Sequence, residues 1–183
     1  MNPLVDLRNA AIGWIDLLGN RPDGGRRFNA SRAGLVTMLG FHVLLVVVSR
    51  IVQTASRFGT FPRLEDLFVS VGLNAVPMLA VFLVVVLTVR FLKPAAGLLA
   101  MLVPAGYALL FVLAIGLPLS LVAGSISVAL QGVLGYMLYR LGRDVGKFGV
   151  GVSVGFAVFS VVLLVAVPIG LYMLIVPDIP TPD

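Results

Sequence analysis

The sequence predicts an all-α, polytopic integral membrane protein: five transmembrane helices preceded by an N-terminal amphipathic interfacial helix. Three observations carry this. Hydrophobic residues make up 60% of the chain and charged residues 11%, with a mean hydropathy of +1.10, so there are too few charges to cover a water-facing surface and lipid must satisfy it. The run from Pro94 to Tyr139 holds no charged side chain, is too long for one bilayer crossing and suits two. The cations fall between the apolar runs rather than within them.

Residues 1–32 form a cytoplasmic segment, a short helix followed by a basic turn. The helix is expected over 3–19, with Asn2 as cap, Pro3 at the first helical position and Gly19-Asn20 as the stop. Leu4, Leu7, Ala11, Trp14, Ile15 and Leu18 recur on one face, with Asp6, Asn9, Gly13 and Asp16 opposite. Burying two Asp and one Arg at mid-bilayer, at roughly 2.5–3.5 kcal/mol each, argues against a crossing. The helix either lies in the headgroup layer, where Trp14 is at home, or packs on the protein's own cytoplasmic end. No secretory signal is expected, because Asp6, Arg8, Asp16 and several arginines precede the first long apolar run. Arg26, Arg27 and Arg32, just before that run, are candidate contacts to anionic headgroups and are also the usual topology signal.

The crossings are expected at about 33–52, 67–89, 95–117, 121–139 and 148–176, within a transmembrane domain of 33–177, with a short acidic outer tail at 178–183. Arg50 sits near the far end of the first crossing, from which its head reaches the interface. A loop over 53–66 follows it, and Glu65 and Asp66 suit the start of the next helix. A turn within 116–125 divides the uncharged tract, and a basic loop over 140–147 precedes the last crossing.

Orientation follows from the cations. With five crossings and a cytoplasmic N-terminus, ten lie inside (Arg8, Arg21, Arg26, Arg27, Arg32, Arg90, Lys93, Arg140, Arg143, Lys147) and three outside (Arg50, Arg57, Arg63). If the uncharged tract crossed only once, the count would be seven against six. The biased arrangement is preferred: N-terminus cytoplasmic, C-terminus outside, multi-pass in a bacterial inner membrane. The net charge of +5 is then a matter of topology, and no nucleic-acid partner is expected.

Polar residues inside crossings are candidate functional sites. His42, the only histidine, lies roughly 12 Å from the cytoplasmic end of its helix. No Asp or Glu falls inside a crossing to exchange a proton with it, so a neutral ring hydrogen-bonded to Ser, Asn, Gln or a carbonyl is expected. Pro77 leaves the Leu73 carbonyl without its helical donor, and Ser70 and Asn74 share one face beside it. Ser127, Gln131 and Gly135 recur at i, i+4 spacing, a small-and-polar stripe that allows close approach and hydrogen bonds between helices. Gln131 is the expected partner of Asn74 or His42. His42, Ser70, Asn74, Ser127 and Gln131 therefore form the candidate intramembrane polar cluster. Gly135, with Gly151 and Gly155 of a GxxxG pattern, forms the candidate helix-packing face.

Catalytic classes largely close. A Ser/His/acid triad lacks a buried acid, one histidine cannot make a metal site, and no cysteine or phosphate-binding loop is present. No catalytic residue, cofactor or metal is assigned.

The run Arg21-Pro22 through Arg27-Phe28-Asn29-Ala30-Ser31-Arg32-Ala33-Gly34, leading into an apolar helix, resembles the opening of some small, uncharacterised bacterial inner-membrane proteins. The five-crossing plan with a cytoplasmic N-terminal segment is similar to the Yip1-like architecture. The resemblance implies a membrane-organising or accessory role with no catalytic residues to carry over. The expectation is a non-enzymatic accessory or scaffolding protein acting through helix–helix contacts, with the lipid bilayer and either a second copy or another membrane protein as partners. The alternative is a small-solute permease or channel with a midplane polar site.

Overall fold

A computed structural model describes residues 2–21, 23–122 and 127–175. Among these residues the chain is helical, with six α-helices and one short 3₁₀ turn. Four of the helices are long and apolar enough to cross a membrane.

The first helix, α1 (Pro3–Leu18), starts where the Asn2 side chain accepts from Leu4 N–H and stops at Gly19. Its facing departs from the expected one. Ala10, Gly13, Trp14, Asp16 and Leu17 are buried, whereas Leu4, Ile15 and Leu18 point outward. The reason is the basic turn. It folds back over the acidic side of α1, so that Asp16 meets Arg21 and Arg27, and Asp6 meets Asn29. Asp16 faces the chain's own cations instead of water. A 3₁₀ turn over Gly24–Arg27 packs so closely here that a Cβ at Gly24 would sit 2.7 Å from the Leu17 nitrogen.

Ser31 caps α2 (Arg32–Phe58) by accepting from Gly34 N–H. Residues 53–58, expected as loop, continue the helix instead. Gln53-Thr54-Ala55-Ser56-Arg57-Phe58 contains no breaker, and the stop comes at Gly59, whose φ of 63° is the left-handed conformation glycine adopts freely. After a short connection, α3 (Leu64–Leu92) begins with Arg63 N–H donating to the Asp66 carboxylate, and continues through Pro77.

The next helix, α4 (Leu98–Val122), extends past Pro118, so the expected turn does not begin at Gly116. Residues 123–126 of that turn lie outside the described part. The fifth helix, α5 (Ser127–Asp144), runs beyond the expected end at Tyr139 and carries Arg140, Arg143 and Asp144, which the sequence reading placed in a loop; an Arg140–Asp144 ion pair at i, i+4 supports this last turn. α6 (Val150–Ile175) follows the connection at 145–149, and the expected acidic tail at 178–183 lies outside the described residues. α5 is shorter and less apolar over its described length than α2, α3, α4 and α6, and those four are the spans that meet the length and hydropathy requirements.

The five long helices form one bundle, with α3 and α5 packed on α6, and α4 packed on α2, α3 and α5. α1 lies across one end, touching α2, α4 and α5. There Trp14 meets Phe28 edge-on at 5.7 Å between centroids, Phe28 lies 6.5 Å from Tyr107, and Tyr107 stacks on Phe111 at 6.0 Å. This aromatic column runs from α1 into the bundle. Met38, Val81, Val84, Met101 and Tyr107 fill the interior on the α1 side, none more than 1% exposed.

Candidate functional site

Polar side chains in an apolar helix must find partners, and the nearest acceptor is the carbonyl one turn back. Two of the intramembrane candidates, Asn74 and Ser70, use it, as do Ser160 and Ser49. Asn74 Nδ2 donates to Ser70 O at 2.9 Å, Ser70 Oγ to Asp66 O at 2.6 Å, Ser160 Oγ to Phe156 O at 2.7 Å, and Ser49 Oγ to Leu45 O. The Asn74 amide, one of the two partners expected for Gln131, thus bonds within α3.

His42 is the exception. The residue is 6% exposed, and neither ring nitrogen has a hydrogen-bond partner. The well-formed hydrogen bond expected of the ring is therefore absent. The main chain of Asn74 lies beside the ring as its nearest partner, in a contact too poor in geometry to count as a full hydrogen bond. A buried, unsatisfied imidazole costs of order 1–3 kcal/mol, so its position calls for an occupant or a function.

The ring faces a cavity of about 250 Å³ in the middle of the bundle. His42 from α2, Asn74 and Pro77 from α3, and Gln131 from α5 line it, and the remaining wall is apolar, including Leu109, Val112, Leu134 and Leu164. Three of the five candidate cluster residues thus converge on one space although α3 and α4 lie between the first and the last in sequence. Along α2, His42 lies about 15 Å from Arg32, close to half the thickness of a hydrocarbon core.

Ser70 belongs to an adjoining chamber of about 220 Å³ toward the end of the bundle away from α1. Ser49, Arg50 and Gln53 of α2 line it together with Ser70 and Leu73 of α3. Asn74 and Leu113 line both chambers and form the wall between them. Arg50 was legible in the sequence only as a cation at a helix end; its place on the chamber adjoining that of His42 needed the packing of α2 on α3. The side chain of Ser127 lies outside the described residues.

The candidate packing glycines divide. A Cβ at Gly135 would sit 3.3 Å from Val161, so this glycine does let α5 approach α6 closely. Gly151 and Gly155 have nothing within 4 Å of a Cβ and are exposed, so they pack no helix of the described chain. On the outside of the α5–α6 pair an open groove of about 510 Å³ passes Gly132, Gly135, Tyr136, Tyr139 and Val158.

The candidate headgroup arginines also differ among themselves. Arg27 is bound to buried Asp16, Arg26 pairs with Asp23 at 3.3 Å on the surface, and Arg32 is exposed at the first turn of α2. Asp16 is the buried acid of the structure, with a side chain only 4% exposed. Its bond from Arg27 and, more weakly, that from Arg21 hold its carboxyl below the ordinary 3.8 despite burial, which acts in the opposite direction. Another buried polar group that sequence reasoning passed over is Tyr107, whose hydroxyl has no partner. No group of three or more His, Cys, Asp or Glu that could hold a metal occurs among the described residues.

Comparison of the chain with protein families, curated proteins and solved structures finds no match.

Proposed function

We propose that this protein is a non-enzymatic, multi-pass protein of a bacterial cytoplasmic membrane that takes a small solute into the cavity at His42, Asn74 and Gln131, as a permease or channel does. The observation that carries the reading is the unpartnered, buried imidazole facing a cavity to which three helices each bring a polar side chain. Pockets in membrane proteins that take solutes sit at such mid-bundle positions, often beside a helix interrupted by proline, as α3 is by Pro77.

The topology that goes with this reading is five crossings, with α5 as the fifth, the N-terminus cytoplasmic and the C-terminus outside. The ten-to-three distribution of cations supports it, and α1 then closes the cytoplasmic end while the chamber at Arg50 faces outward. The exposed Leu4, Ile15 and Leu18 of α1, flanked by Arg8 and Arg32, suit the headgroup layer.

The test is flux into proteoliposomes over a panel of small solutes. Uptake that Asn74→Leu or Gln131→Leu abolishes is the expected result. Uptake no different from empty liposomes across the panel would defeat the reading.

A second reading has its own observation. Gly151 and Gly155 present a bare helix face that packs nothing in the chain, as a helix partner would require. An accessory or scaffolding role through contact with a second copy or another membrane protein, which the Yip1-like resemblance also implies, would use that face. Sizing in mild detergent decides: a strictly monomeric protein that recovers no partner excludes it.

A further inference from the structure

The two chambers differ in chemistry, and the difference specifies what passes between them. Every group that lines the inner one is apolar except His42, Asn74 and Gln131. The outer one is polar, and Arg50 is the charged residue on it. No carboxylate lines either chamber, and none of the ion pairs among the described residues involves Arg50.

Resting on the solute-site reading above, we infer that the solute is a small organic anion, a monocarboxylate with a short alkyl body, which enters past Arg50 and binds with its carboxylate at His42. A cation entering by this route meets Arg50 first and then finds no counter-charge, which is costly in a low-dielectric interior. A polyhydroxylated neutral solute would leave most of its hydroxyls against leucine and valine, each unpaired. A carboxylate needs a lining cation at the mouth to concentrate it and hydrogen-bond donors at the end to replace water. Arg50 supplies the first. A ring N–H of His42, the Gln131 amide and the second hydrogen of Asn74 Nδ2, whose first is held by Ser70 O, supply the others. The apolar wall takes the alkyl chain, and about 250 Å³ has room for a body of a few carbons with one or two waters.

The lone histidine makes this directly observable. Full-length protein labelled with 13C,15N-histidine gives the signals of a single imidazole ring, whose Cε1–H resonance can be followed while butyrate, butyramide or n-butylamine is added at neutral pH. Butyrate is expected to shift it saturably and butyramide at least ten-fold more weakly, while butylamine leaves it in place. Arg50→Gln should weaken butyrate at least five-fold, and Arg50→Lys should restore most of the loss, with the free signal unchanged in both as the check on folding. Saturable binding of the amide or the amine at least as tight as that of butyrate would overturn the anion assignment and leave the solute site standing. A signal that none of the three probes moves would overturn the assignment, and flux loss in Asn74→Leu would then show separately whether the site survives. Equal butyrate affinity in Arg50→Gln would remove Arg50 from the path.

Discussion

Trp14 donates its indole N–H to the main-chain carbonyl of Pro104 at 3.2 Å, and 90 residues of chain separate the two. Through this bond and the Phe28–Tyr107 contact, the short first helix is fixed against the ends of α2, α4 and α5.

Removing this anchor should therefore cost stability before anything else. Trp14→Ala is expected to destabilise by about 3–5 kcal/mol, from the cavity left by a 2%-exposed indole. Trp14→Phe keeps most of the ring and should cost about 1–2 kcal/mol for the lost hydrogen bond. Thermal unfolding of the purified protein in one detergent measures both, and a Trp14→Phe variant as stable as the parent would mean the bond to Pro104 contributes nothing.

Acid should loosen the same end. Arg27 and Arg21 keep the Asp16 carboxyl below its ordinary value, so their contribution is fully present above about pH 4 and is lost as pH falls through the lower, folded value. Asp16→Asn should unfold at a lower temperature than the parent at pH 7, and the gap should narrow as pH falls below about 4. A gap that stays constant from pH 7 to pH 3 would contradict the linkage.

Gly34 and Gly40 are six residues apart on α2 and should respond oppositely to alanine. A Cβ at Gly34 would overlap the Asn29 carbonyl oxygen, a main-chain atom that moves only with the cap formed by Ser31. Gly34→Ala should destabilise by about 1–3 kcal/mol through overpacking. At Gly40 nothing lies within 4 Å, so alanine should be neutral or stabilising by up to about 1 kcal/mol. Unfolding curves of the two variants beside the parent check the pair.

Gly155→Leu separates the two functional readings. The position is open, so unfolding temperature should change little, and flux through a site at His42 should be unaffected. A loss of a detergent-stable dimer in this variant would instead favour the helix-contact reading.

Much of the fold was legible in the residues because a bilayer leaves few options. A helix in lipid must be about twenty apolar residues long, so composition and hydropathy alone marked α2, α3, α4 and α6. Local chemistry marked the ends of α1 as well, since a cap at Asn2 and a stop at Gly19 depend only on neighbours in sequence. Helix ends that project beyond the apolar stretch were missed, at 53–58 and 140–144, because hydropathy falls there while helix propensity does not. The outward face of α1 was misread for another reason: Asp16 is buried by Arg21 and Arg27, which a face-by-face reading assigns to water. His42, Asn74 and Gln131 could be named as polar residues in apolar helices, but not placed. Their convergence, the unpartnered imidazole and the position of Arg50 on the adjoining chamber depend on how α2, α3 and α5 pack, and packing is set by side-chain shape across helices far apart in sequence. The residues thus determined that this chain suits a membrane and where its helices run; only the tertiary structure decided that three of its polar side chains line one common space rather than bond to one another.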